Sequence, residues 1–217
     1  MKRFAKPGFY IYTLFLATFM IAACSSNGIE RSGNAQTSLE AVDNDIKNIV
    51  LQIDKIGESL DKLTNPRQAD VRQAYDQYSE NVLSIEKLEN DFQKHVEEME
   101  TNNEIYLSEW KKNSNEYDNP EIQRLSVERY EIVSRAFNKI SENNVGINDA
   151  FKTYVSDVIE IETFISNDLT NRGIESISPI SKEAVHNGKN LKNALLNLQS
   201  AIEEARAEMI QGEISMN

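Results

Sequence analysis

The chain has 217 residues, with 23 Lys and Arg against 35 Asp and Glu and a formal charge of −12. So acidic a polymer is repelled by phosphate backbones and by anionic lipid surfaces, which argues against nucleic acid as a partner. Only 8 Gly and 4 Pro leave few places to turn, which excludes the many short strands of a sandwich or barrel in favour of few long elements.

Met1 to Lys6 is basic, through Lys2, Arg3 and Lys6. After Pro7-Gly8 an apolar run extends from Phe9 to Ala23, broken only by Thr13 and Thr18. A run of about 15 residues behind a basic stretch has the dimensions of a secretory leader. It is short of the ~20 residues that a membrane-spanning helix needs. The run closes on Ile21-Ala22-Ala23-Cys24-Ser25-Ser26, which resembles the lipobox of bacterial lipoproteins. The resemblance implies that residues 1–23 are a signal peptide and that Cys24 is acylated and becomes the first residue. Small side chains let a peptidase approach the backbone, and the thiol is the nucleophile that accepts the lipid. One acyl chain holds a protein only marginally; two or three, palmitate among them, anchor it stably. Cys24 is the only cysteine, so once acylated it leaves no thiol for a disulfide, a redox site or a metal. Ser25 in place of Asp is similar to the outer-membrane sorting signal of double-membraned bacteria. It implies a bacterial cell-envelope protein, membrane-anchored and, in a host with two membranes, facing the periplasm. Without the leader 20 basic and 35 acidic side chains remain, a charge of −15. Residues 24–37 are polar and aperiodic and read as a flexible tether, with a reach of roughly 20 Å.

Residues 38–212 read as one helical coiled-coil domain. Leu39, Val42, Ile46, Ile49, Ile53, Ile56, Leu60 and Leu63 recur with strict 3,4 spacing, the seam of a coiled coil. Thr64-Asn65-Pro66 stops this first helix, and a second is expected from Pro66. Its seam runs Val71, Tyr75, Tyr78, Val82, Ile85, Glu89, Phe92, Val96, Met99, Asn103, Tyr106, Trp110. Asp118-Asn119-Pro120 breaks the chain again. The third seam runs Tyr130, Val133, Phe137, Ile140, Asn144, Ile147, Phe151, Tyr154, Val158, Ile161, Ile165, with a weak point between Ser141 and Gly146. Gly173 is expected to cap this helix, Ile174 to Pro179 to connect, and a fourth helix to run from Ser181 to Ile210. Tight Asn-Pro links imply antiparallel neighbours. The fold expected is all-α, an elongated antiparallel helical bundle or coiled coil of four helices, the middle two long. A two-helix extension would then project around Asn119, toward the membrane end.

Few residues suggest a site. Tyr106, Trp110, Tyr117 and Tyr130 gather near the expected tip, where aromatic rings either close a core or meet a partner or membrane interface. Asn103 and Asn144 occupy seam positions, where a buried amide fixes register at a cost in stability. Glu183 and His186 form one Glu-x-x-His, but di-iron bundles use the unit twice. A solvated face is therefore expected there and at His95, and no metal or cofactor is expected. No Gly-rich phosphate loop, nucleophile elbow or Cys/His pair is present, so no catalytic residue is expected.

Two stretches resemble the bacterial domain-of-unknown-function 2959 family. Glu109-Trp110 with Tyr117, Asn119, Ser126 and Tyr130 is similar to its E-W…Y-x-N…S…Y pattern. Phe164-Ile165-Ser166-Asn167-Asp168-Leu169 with Ile174 and Ser176-Ile177 is similar to its F-L-x-x-N-L…I-x-S-L segment. The resemblance spans roughly residues 38–210 and implies helices and an envelope setting, with no site to transfer. The function expected is a non-enzymatic envelope lipoprotein that binds or spaces an unidentified protein partner. The alternative is a helical protein that inserts into or remodels bilayers. That reading needs a long uncharged segment, and the longest after Cys24 is only Asn193 to Ile202.

Overall fold

In the computed structural model residues 28–65, 70–114 and 116–214 are described, with side chains through Ile210, and every element among them is an α-helix. These are α1 (Gly28–Leu63), α2 (Val71–Asn113), α3 (Pro120–Asn144), α4 (Ile147–Asn167) and α5 (Asn171–Ile214). The leader 1–23, Cys24 and the expected helix start at Pro66 lie outside the described residues.

The helices form an antiparallel four-rod bundle in which α3 and α4 together make the third rod. α2 packs along α1, α5 closes the ring against α1, α3 and α4, and α2 touches α4 and, sparsely, α3. Cross-links fix the directions. Ser32 early in α1 lies beside the Tyr106 hydroxyl late in α2. The Tyr78 hydroxyl early in α2 donates to the Val158 carbonyl late in α4 at 2.7 Å. Arg129 early in α3 pairs with Glu208 late in α5 at 2.8 Å.

The apolar seams drive this assembly. All eight heptad positions of α1, from Leu39 to Leu63, are buried, and each such side chain contributes ~1.5–3 kcal/mol by leaving water. Tyr78, Val82, Ile85, Phe92, Val96 and Met99 of α2 meet them, with Val133 to Ile165 on the third rod and Leu191 to Met209 on α5. Local signals set the ends. The Asp70 carboxylate accepts from the Gln73 N–H at 2.9 Å and caps α2. Asn119 Oδ1 accepts from the Glu121 N–H at 2.9 Å, with Pro120 opening α3 as expected. The third rod breaks at Val145-Gly146, where Gly146 has φ 78°, a left-handed geometry that glycine adopts without a Cβ clash. Ile140 and Ile147 lie one heptad apart on either side and both are buried, so the break leaves the seam in phase.

Three expectations are corrected. Residues 28–37 are not tether but the first turns of α1, because Ala35 and the Arg31 stem bury against the bundle. The outer rods are therefore not short: α1 has 36 residues and α5 has 44, against 43 in α2. The expected two-helix extension shrinks to the turns around the 114–119 link. Finally, Gly173 does not end a helix; it sits in the first turn of α5. The Thr170 hydroxyl accepts from the Gly173 N–H at 3.2 Å, and a Cβ at Gly173 would lie 2.3 Å from the Asp168 carbonyl oxygen. Ile174 and Ile177, expected in a connector, are buried and carry the helix straight through Pro179.

Candidate functional site

The end of the bundle holding the start of α1, the 114–119 link and the close of α5 carries the aromatic residues singled out above. Tyr106 and Trp110 lie one turn apart on α2, with ring centroids 5.5 Å apart. Trp110 meets Tyr130 of α3 edge-on, at 6.1 Å and 82°. Tyr106 also tilts against Phe137 at 6.2 Å. The Trp110 indole N–H donates to the Ser126 hydroxyl at 3.0 Å. Three of the four expected aromatics are thus half-buried in one ladder that ties α2 to α3. Tyr117 stands apart, exposed in the link. Burial pushes the Tyr106 phenol up, against a hydrogen bond with Ser32 and the charges of Arg129 and Arg31.

The residues behind the family resemblance fall on the two links. Trp110, Ser126 and Tyr130 fasten the α2–α3 hairpin, and Asn119 caps α3. At the opposite end Asn167 bonds the Thr163 carbonyl, Ser176 bonds the Gly173 carbonyl, and Ile165, Ile174 and Ile177 are buried. Both motifs therefore have a direct structural role.

Polar clusters inside the bundle were not foreseen. Asp43 of α1 is buried and takes Lys47 at 2.8 Å, Gln199 at 2.7 Å and Arg206 at 3.2 Å, joining α1 to α5. Asp45 meets His95 Nδ1 of α2 at 2.6 Å, so His95 is not on a solvated face. Burial raises the Asp45 carboxyl against the pull of His95, with Asp91 adding to the rise. The Tyr75 hydroxyl donates to Glu162, which also accepts from Ser79 at 3.1 Å. Burial and Glu162 push that phenol up, and the bond staples α2 to α4. Each cluster joins residues 50 or more positions apart from sites that look like ordinary solvated helix positions, and only Asp43–Lys47 had an i,i+4 signal.

Glu183 and His186 are exposed. Among the described residues no three His, Cys, Asp or Glu side chains converge on a metal-sized site, and no helix is long and apolar enough to cross a membrane. Comparison with models of known families, with curated proteins and with solved structures finds no match.

Proposed function

We propose that this chain is a non-enzymatic cell-envelope lipoprotein, held to a membrane by acylated Cys24, that presents a rigid helical rod to a protein partner. The observation that carries the reading is the order basic stretch, apolar run, Ala22-Ala23-Cys24 in the first 24 residues. The bundle supports it in one respect. Cys24 precedes the start of α1 by four residues, at most ~14 Å of chain. The lipid would therefore sit at the same end as the aromatic ladder and the 114–119 link. From that end α2, with 43 residues, rises roughly 65 Å. The resemblance to the domain-of-unknown-function 2959 family is part of the same proposal and adds an envelope setting.

Labelling growing cells with an alkyne palmitate analogue tests it. The mature chain takes up label, floats with membranes and begins at Cys24, whereas Cys24→Ala is unlabelled and keeps its leader. An unlabelled chain with an intact leader overturns the proposal. A spin label at Asn119 is expected within reach of bilayer-bound relaxation agents; one shielded from them would reverse the orientation. Photocrosslinkers at Tyr117 and along exposed α3 then capture the partner in intact cells.

A further inference from the structure

We infer that the cleft between α2 and α3 is a binding site for a small protonated amine with an apolar body. The cleft has a volume of about 490 Å³, within the range of small-molecule sites. Glu100, Asn103, Glu104 and Leu107 line one wall, and Tyr130 and Phe137 the other. The cleft exists because α3 stands off from α2, unlike α1.

Asn103 sets the chemistry. It is 92% buried, and its Oδ1 is the one buried side-chain polar atom among the described residues without a hydrogen-bond partner. A buried acceptor left unpaired is costly and calls for a donor. The last torsion of an Asn side chain is soft, so the oxygen can swing to meet an N–H entering the cleft. Glu100, one turn before Asn103, and Glu104, the next residue along, also line the cleft and add negative charge. Glu100 is held in place by the Asn144 amide, which donates to it at 3.0 Å. Tyr130 and Phe137 make the opposite wall aromatic, and aromatic surface favours a cation over an anion. Lys111 also lines the cleft, two turns from Asn103 toward the link. Acceptors, negative charge and aromatic walls together select an ammonium group, and Leu107 and Phe137 receive its carbon body. The site needs only the folded bundle and stands apart from acylation of Cys24.

The test is calorimetric titration of the purified full chain with 2-phenylethylamine hydrochloride at physiological salt, where loose attraction to an acidic surface is screened. Trp110, the sole tryptophan, reports location because it touches the Tyr130 wall. Saturable heat with a matching change in Trp110 emission is expected, and binding of neutral 2-phenylethanol about tenfold weaker or worse. Glu104→Gln, at an exposed position, and Asn103→Leu are each expected to weaken the amine by about tenfold, the worth of one charge-assisted hydrogen bond. No saturable heat up to millimolar amine overturns the site. So does equal binding of the alcohol, heat without a Trp110 response, or affinity unchanged in both variants.

Discussion

Helix α2 lies between two seams of opposite character. Toward α1 every heptad position of the partner helix is apolar and buried, and polar contacts sit outside that ladder, as where Gln52 donates to the Asn81 carbonyl at 2.9 Å. Toward α3 the seam holds Asn103 and Asn144, stops at Gly146, and leaves cavities of about 490 and 230 Å³. The same helix is zipped on one side and gapped on the other. The difference teaches that an unbroken apolar ladder brings two rods into continuous contact, whereas a buried amide and a broken partner hold them apart. The gapped seam holds the 490 Å³ cleft.

The comparison breaks first if the tight seam tolerates a hole. Ile49→Ala removes a fully buried side chain and is expected to cost ~3 kcal/mol in urea unfolding; a loss below ~1 kcal/mol would mean that the seam relaxes freely. Next comes the buried charge beside it. Asp43→Ala takes the shared buried acceptor from Lys47, Gln199 and Arg206, leaving Arg206 only Glu40 at 3.9 Å, and is expected to cost ~2 kcal/mol. Burial works to raise the Asp43 carboxyl, but hydrogen bonds from Lys47 and Gln199 and the charges of Lys47 and Arg206 outweigh it, and the net position is below the ordinary 3.8. A carboxyl held lower when folded stabilises above its unfolded value, and that contribution is lost as pH falls through the folded one. Thermal melts should therefore show wild-type stability falling below about pH 4, and a shallower fall in Asp43→Ala; parallel curves would remove Asp43 from the account.

Smaller effects sharpen the gapped side. Gly146→Ala meets no neighbouring atom, so its expected loss of ~1–2 kcal/mol is purely the left-handed backbone at φ 78°. Asn103→Leu should go the other way and stabilise by ~1 kcal/mol, since it removes an unpaired acceptor from an apolar seam; destabilisation of that size would show that the amide is already satisfied. Least of all, Lys139→Ala breaks an exposed pair with Glu204 and is expected to move the unfolding midpoint by under ~0.5 kcal/mol.

Much of this was legible in the chain. The 3,4 spacing named the buried face of the first three rods, Asn119-Pro120 marked a helix start, and the polar stretch before Gly146 marked the break. What was misread shares a cause. Residues 28–37 lack a strong stripe, and the packing of Arg31 and Ala35 against the bundle is a tertiary signal that periodicity does not carry. Gly173 has the spacing of a C-cap, but the close pass of the Asp168 carbonyl is what requires it. The aromatic cluster was found, yet its joining to Ser126 and Phe137 depends on which faces of two helices meet. The cleft was invisible for the same reason, although the seam amide inside it was noticed. Periodicity reports which side of a helix is apolar; it does not report how far away the next helix stands.

Pro179 leaves a missing rung inside α5. Its nitrogen carries no hydrogen, so the Glu175 carbonyl one turn back loses the amide that would normally hold it in the helix. A ladder with one rung gone bends and frays there first. Amide hydrogens of the first turns of α5 should therefore exchange ahead of those flanking Leu195 and Leu198, and thermal unravelling should begin at the end of the rod far from the aromatic rings.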